Sequence, residues 1–212
     1  MGLAGAREYQ PLPVGELGEG AGYRRPTQPQ PARVSAESPA LEVMTDLLRV
    51  SPATIRVQAP IEGANHCMIS RGVRLLLVVD ERDWVLGVVS ATDILGERAL
   101  RVATERGLRR DELTVGDIMT PAAQVEVLDY ADVAAARVGH VLETLRRAGR
   151  PHLLVVDREP APPRSRLEAP VLRTMVRGIF SVTQIARQLG VAVEPGAAVA
   201  RTFSEIESAI AR

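Results

Sequence analysis

The sequence predicts an α+β fold built from two β-α-β-β-α repeats, and three observations carry that reading. The run LLVVD at 76–80 returns at 153–157, displaced by 77 residues. GVVSATDIL at 87–95 returns as GIFSVTQIA at 178–186, displaced by 91. Met44-Thr45 returns as Met119-Thr120 ahead of the later set. The displacements differ by 14 residues (91 less 77), and the extra length falls between Asp157 and Gly178, where the second copy carries EPAPPRSRLEAP. The order of elements is kept while one surface loop grows, which is how duplicated modules diverge.

Each copy reads the same way locally. Thr54-Ile55-Arg56-Val57 and Val125-Glu126-Val127-Leu128 alternate like half-buried strands. A helix follows in each. The first runs from Ile61 to Gly72, with Ala64, Cys67, Met68 and Ile69 on its buried side. In the second, Val133, Ala136, Val138, Val141, Leu142 and Leu145 form one apolar stripe closed by Gly149. Then come the buried strand LLLVVD or HLLVVD, a turn, a strand beginning at GVV or GIF, and a closing helix. A unit of ~60 residues is marginal alone, so the copies are expected to pack together and share a core.

The flanks read differently. Residues 1–40 hold six Pro and six Gly without apolar periodicity, the composition of a flexible arm. Its GELGEG has no preceding strand and no helix pattern after it, so a phosphate-loop reading fails. The expected partition is arm 1–40, first repeat 41–98, connecting helix or linker 99–112, second repeat 113–190 with an insertion near 158–177, and tail 191–212. In the tail, Pro195-Gly196 breaks the chain. Thr202-Phe203-Ser204-Glu205 then reads as a capping-box helix start, with Phe203, Ile206 and Ile210 on one face.

Composition excludes several functions. The 212 residues carry 26 basic and 26 acidic side chains, every basic one an Arg, so no protein-wide field draws in nucleic acid. Aromatics at 3% leave few platforms for stacking bases. A single cysteine, Cys67, cannot form an intramolecular disulfide. No run approaches the ~20 apolar residues of a membrane span, and the N-terminus lacks the apolar core of a signal peptide. The expectation is a cytoplasmic protein with no nucleic-acid or membrane partner. His66 and Cys67 are adjacent on a helix and diverge, so metal-ligand spacing is absent, and no nucleophile–base pair suggests an enzyme. Trp84 in ERDWV reads as a turn aromatic folded onto its own hairpin.

The ordered duplication, with Gly87-Val88-Val89-Ser90-Ala91-Thr92-Asp93 placed after a strand and opening a helix, resembles a tandem pair of CBS domains, or Bateman module, over about Leu41–Gly190. VGDIMTP and the LLVVD strand add to the likeness. The chain looks like small stand-alone bacterial CBS-pair proteins. The resemblance implies two copies packed about a pseudo-twofold axis, with clefts between them that take adenine nucleotides or related adenosyl compounds. It implies a non-enzymatic regulator that needs no cofactor, senses AMP, ADP, ATP or S-adenosylmethionine, and signals to an unidentified protein partner. It also implies a homodimer, which light scattering at micromolar concentration tests: a lone 22.9 kDa species counts against it. The alternative is a structural or protein-interaction module with vestigial clefts.

Residue by residue, the likeness places Asp93 on the ribose, Ser90 or Thr92 toward phosphates, and Gly87 in the same loop. Thr54 and Ile55 are assigned to the adenine, and Arg74 to a phosphate. S-x-x-D at a helix start is also a capping box, and Ile55 is also a plausible core residue. In the second copy Gln184 stands where the acid belongs. It keeps a capping role but cannot accept a pair of hydroxyls as a carboxylate does. The cleft of Ser181, Gln184 and His152 is therefore expected to be silent or to take another ligand.

Overall fold

The computed structural model describes residues 34–160, 172–191 and 199–210. Most of the expected arm, the tip of the insertion and the Pro195-Gly196 break lie outside them. Strands β1 (Thr45–Asp46), β2 (Thr54–Arg56), β3 (Leu75–Val79), β4 (Val85–Ser90) and β5 (Thr120–Pro121) precede β6 (Val127–Asp129), β7 (His152–Pro160) and β8 (Leu172–Ser181). They form two four-stranded sheets, ordered β2-β3-β4-β5 and β1-β8-β7-β6. The exchange between them is reciprocal. β1, which leads into the first repeat, pairs antiparallel with β8 of the second, and β5, which leads into the second, pairs with β4 of the first. These are the two Met-Thr segments.

Within each sheet the duplication is kept to the residue. β2 and β6 run parallel to β3 and β7, and Thr54↔Leu77 matches Val127↔Leu154. Both antiparallel pairs carry a register shift at the same place, between Val78 and Val79 and between Val155 and Val156. Bulges of this kind bend and twist a strand pair locally. Leu75 pairs with Ser90 as His152 pairs with Ser181, so His152 is the counterpart of Leu75, and Arg74 is the counterpart of Pro151.

All five residues of β3 are buried, because both of its faces are covered. Leu76 and Val78 join Ile61, Ala64 and Met68 under the first repeat's helices. Leu75, Leu77 and Val79 meet Leu154 in a core between the sheets. A strand covered on both faces has no solvent side to alternate with, which explains the unbroken LLLVV.

The helices are α1 (Ile61–Arg71), α2 (Ala91–Leu95), α3 (Glu97–Arg106), α4 (Val115–Ile118), α5 (Tyr130–Ala135), α6 (Val138–Ala148), α7 (Val182–Gln188) and α8 (Val199–Ile210). Four of them, α1, the pair α5 and α6, and α8, differ from expectation. On α1 the buried face is Ile61, Ala64 and Met68, while Ile69 is 69% exposed and Cys67 half-buried. The expected single stripe is split between α5 and α6, since Arg137 is extended there (φ −108°, ψ 163°). Backbone bonds explain the break: Ala40 N–H donates to Ala136 O (2.9 Å) and Val138 N–H to Ser38 O (2.9 Å). The same contacts show that packed chain begins N-terminal of Leu41, with Val34 and Ala40 buried. Gly149, at φ 62°, ends α6 in the left-handed conformation that glycine adopts without strain. Finally, α8 starts before Thr202, which lies inside the helix and is buried rather than capping it. Phe203 and Ile206 enter the second repeat's core, each burial contributing about 1.5–3 kcal/mol.

Trp84 is 52% exposed in the β3–β4 turn rather than folded onto its hairpin. Its backbone N–H donates to Asp80 Oδ1 at 2.8 Å.

Candidate functional site: two clefts at the exchanged strands

The first cleft, about 250 Å³, opens where β4, α2 and β5 meet the second repeat. Ser90 ends β4 and caps α2. Its Oγ accepts from the Asp93 N–H (3.3 Å), and its own N–H and hydroxyl both donate to Asp93 Oδ2 (2.9 and 2.6 Å). The reciprocal capping box read from the sequence is therefore present. The second carboxylate oxygen is also engaged: Arg98 Nη1 of α3 lies 3.0 Å from Asp93 Oδ1. Arg98 also donates to Thr120 Oγ1 (3.2 Å) and to Met119 O (2.8 Å). One guanidinium thus ties the cap of α2 to the exchanged strand β5. Leu75, Val88, Val125 and Leu154 give the cleft an apolar floor, and Arg150 and His152 stand on its far wall. Arg150 pairs with Glu126 at 3.6 Å.

The second cleft, about 320 Å³, is its counterpart across the repeat. Thr45, Ser181, Thr183 and Gln184 occupy the places of Thr120, Ser90, Thr92 and Asp93. The chemistry differs from expectation. Ser181 makes no side-chain capping bond, and Gln184 does not act as a capping partner. Gln184 Oε1 instead accepts from Thr45 Oγ1 at 2.9 Å, bonding directly to the exchanged strand β1. The longer amide reaches past the helix start, where a shorter carboxylate folds back onto it.

Ser90, Thr92 and Asp93 share the first cleft, as grouped from sequence. Arg74 is not part of that cleft's lining, but it shares a small adjoining cavity with Ser90, Thr92 and His152. It also lines the second cleft with Ser181 and Gln184, because each cleft is closed by the segment preceding the central strand of the opposite sheet. For the same reason Arg150 and His152 face Asp93, and His152 reaches both clefts. Thr54 lines a separate cavity between the sheets with Leu48, Asp83 and Asp157. Ile55 packs against the first repeat's core. Gly87 lines neither cleft. It is buried where β5 crosses β4, and a Cβ there would collide with the Thr120 carbonyl oxygen.

Sequence reasoning missed Arg98, Thr120, Arg150, Thr45 and Arg187. The repeated Met-Thr pair was the available signal for the two threonines. His152 is the most perturbed group of the site. Burial first, and the Arg74 charge second, pull its imidazole from 6.5 to about 4. Its Nδ1 is shut from solvent without a hydrogen-bond partner. Among the described residues no cluster of three metal-ligating side chains occurs, and no helix is long and apolar enough to cross a membrane.

Residues 40–99 match the family model of the CBS domain. The first repeat is thus a CBS domain, and the second reproduces its strand order, bulge and exchanged strand, so the fold is a tandem CBS pair. Among solved structures, an uncharacterized conserved protein from Pyrococcus horikoshii is 18% identical, with 76% of this chain and 99% of that one covered and a TM-score of 0.50. CBSX2 of Arabidopsis thaliana, solved in complex with AMP, is 18% identical over 71% of this chain and 94% of its own (TM-score 0.45). A CBS domain pair solved with 5′-methylthioadenosine and S-adenosyl-L-methionine is 20% identical over 69% and 97% (TM-score 0.44). No curated protein matches the sequence.

Proposed function

We propose that the chain is a non-enzymatic regulatory module that senses an adenine nucleotide or related adenosyl compound in the Asp93 cleft and signals to a protein partner. The observation that supports this reading is the grouping of Ser90, Thr92 and Asp93 with Thr120 and Arg150 around one apolar floor. A carboxylate accepts two hydroxyl protons at once, which suits the cis-diol of a ribose. An apolar floor suits a flat purine, and Arg150 offers charge to a phosphate or carboxylate tail. Because Arg98 already holds Asp93 Oδ1, a ribose must take that oxygen from the guanidinium. Its release loosens the grip on Met119 and Thr120, and so on the strand leading into the second repeat. Ligand binding then favours one arrangement of the repeats over another, which a partner reads.

Calorimetry with AMP, ADP, ATP and S-adenosylmethionine tests the proposal on wild type and Asp93→Asn. One site per chain is expected, weakened by about 1–3 kcal/mol in the variant, the scale of a charged hydrogen bond. Equal binding by both proteins removes the carboxylate from the site. A second reading, an interaction module with vestigial clefts, is favoured by the prior engagement of both Asp93 oxygens. Failure of every adenosine compound to bind selects it.

A further inference from the structure

We infer that the Gln184 cleft is an anion site that takes a phosphoryl group and not a nucleoside. Among the described residues, the guanidinium groups without an ion pair or hydrogen bond are those of Arg74, Arg82 and Arg187, and two of these three line this one cleft. The other described arginines are tied to carboxylates or backbone carbonyls. A chain with balanced charge that leaves two cations unpaired in one concavity has concentrated positive potential there.

The rest of the described lining points the same way. It contains no carboxylate. Gln184 Oε1 already accepts the Thr45 proton, which leaves the amide nitrogen as the group it can offer. The Ser181 hydroxyl makes no capping bond, and Thr183 lines the cleft beside it. His152 adds a buried Nδ1 with no partner, on a ring that Arg74 faces closely enough to act on its charge. The lining is rich in donors, and it lacks a carboxylate that could accept both protons of a ribose diol. A phosphoryl group, acceptor-only and multiply charged, fits both features. The inference is independent of nucleoside binding at Asp93.

Inorganic pyrophosphate, titrated calorimetrically into the full chain with no adenosine compound present, is the probe. One site per chain is expected, with affinity falling at least about tenfold in Arg74→Gln and in Arg187→Gln, the scale of a lost charge-assisted contact. Arg82→Gln, at the remote β3–β4 turn, should leave it unchanged. Affinity should also fall as sodium chloride rises. Circular dichroism melts establish that each variant is folded, and all three substituted side chains are exposed. Competition identifies the source of the group. ADP competing no better than its diphosphate alone requires supports the anion site, whereas stronger displacement by ADP means that the nucleoside is bound as well and overturns it. No binding at millimolar pyrophosphate, equal weakening by all three variants, or displacement by adenosine alone would each overturn the assignment.

Discussion

The two clefts share a backbone and differ in how each holds its exchanged strand. In the first, Asp93 folds back onto Ser90 and recruits Arg98, which grips Thr120 and Met119. In the second, Gln184 spans the same gap by itself and bonds Thr45. One longer, uncharged side chain thus replaces a capping carboxylate and its arginine. The result is one cleft centred on an anion and another furnished with donors. Duplication preserved what the backbone requires, namely the bulge, the strand exchange and the close crossing, and left the chemistry of each cleft free to diverge.

The crossings give the largest expected contrast. Gly87 and Gly178 stand at equivalent points, yet a Cβ on Gly87 meets the backbone carbonyl of Thr120, whereas one on Gly178 meets the thioether end of Met44. A methionine chain can turn aside; a paired strand cannot. Gly87→Ala should destabilise by about 3 kcal/mol and Gly178→Ala by about 1 kcal/mol, within the range for overpacking. Urea unfolding of the two variants measures the difference. Equal losses would mean that β5 shifts as readily as a side chain, and the asymmetry would be void.

The central strands give the next contrast. Leu75 and His152 are counterparts, but only His152 titrates. Its folded pKa, about 4, lies below the unfolded value of about 6.5. The unfolded state therefore binds more protons between these values, and stability falls as pH drops from 6.5 toward 4. The full shift corresponds to about 3 kcal/mol, and partial exposure of the ring brings the expectation nearer 2 kcal/mol. His152→Leu, which installs the counterpart residue, should remove that component. Unfolding free energies at pH 7 and pH 4.5 should differ by about that amount more in wild type than in the variant. Identical pH dependence would show that the imidazole is solvated in the folded state.

How much of this was legible in the sequence follows from where each determinant lies. The repeats were readable because LLVVD and the GVV and GIF runs are local and their burial is dictated by the strands themselves. The exchange of β1 and β5 was not, since pairing partners some 32 to 134 residues apart in sequence leave no local trace. Equally, the stripe from Val133 to Leu145 has helical period throughout, and only the bonds from Ser38 and Ala40 break it. At the site, Ser90 and Asp93 were visible as a capping motif. Arg98 was not, because its role depends on Thr120 of another strand. Arg74 borders both clefts for a related reason: a composite cleft takes its walls from opposite repeats, and proximity within one repeat does not say which cleft a residue faces.

The smallest contrast tests the grip on the exchanged strands directly. Thr120→Val and Thr45→Val each remove one hydroxyl and nearly preserve volume. Thr120 Oγ1 accepts from a guanidinium in a buried position, and Thr45 Oγ1 donates to a neutral amide in a half-buried one. Hydrogen bonds with a charged partner contribute more than neutral ones, roughly 1.5–3 against 0.5–1.5 kcal/mol. Arg98 retains Asp93 and the Met119 carbonyl after the first change, so the loss should sit at the low end, about 1.5 kcal/mol. After the second, the Gln184 carbonyl faces a cleft open to water and can be solvated, so about 0.5 kcal/mol is expected. Denaturant midpoints resolve a difference of that size if the slopes are unchanged. The same experiment in Arg98→Ala decides its origin: there Thr120→Val should cost no more than Thr45→Val. If Thr120→Val remains the costlier change without the guanidinium, burial of the hydroxyl, and not the charge on its partner, is what separates the two strands.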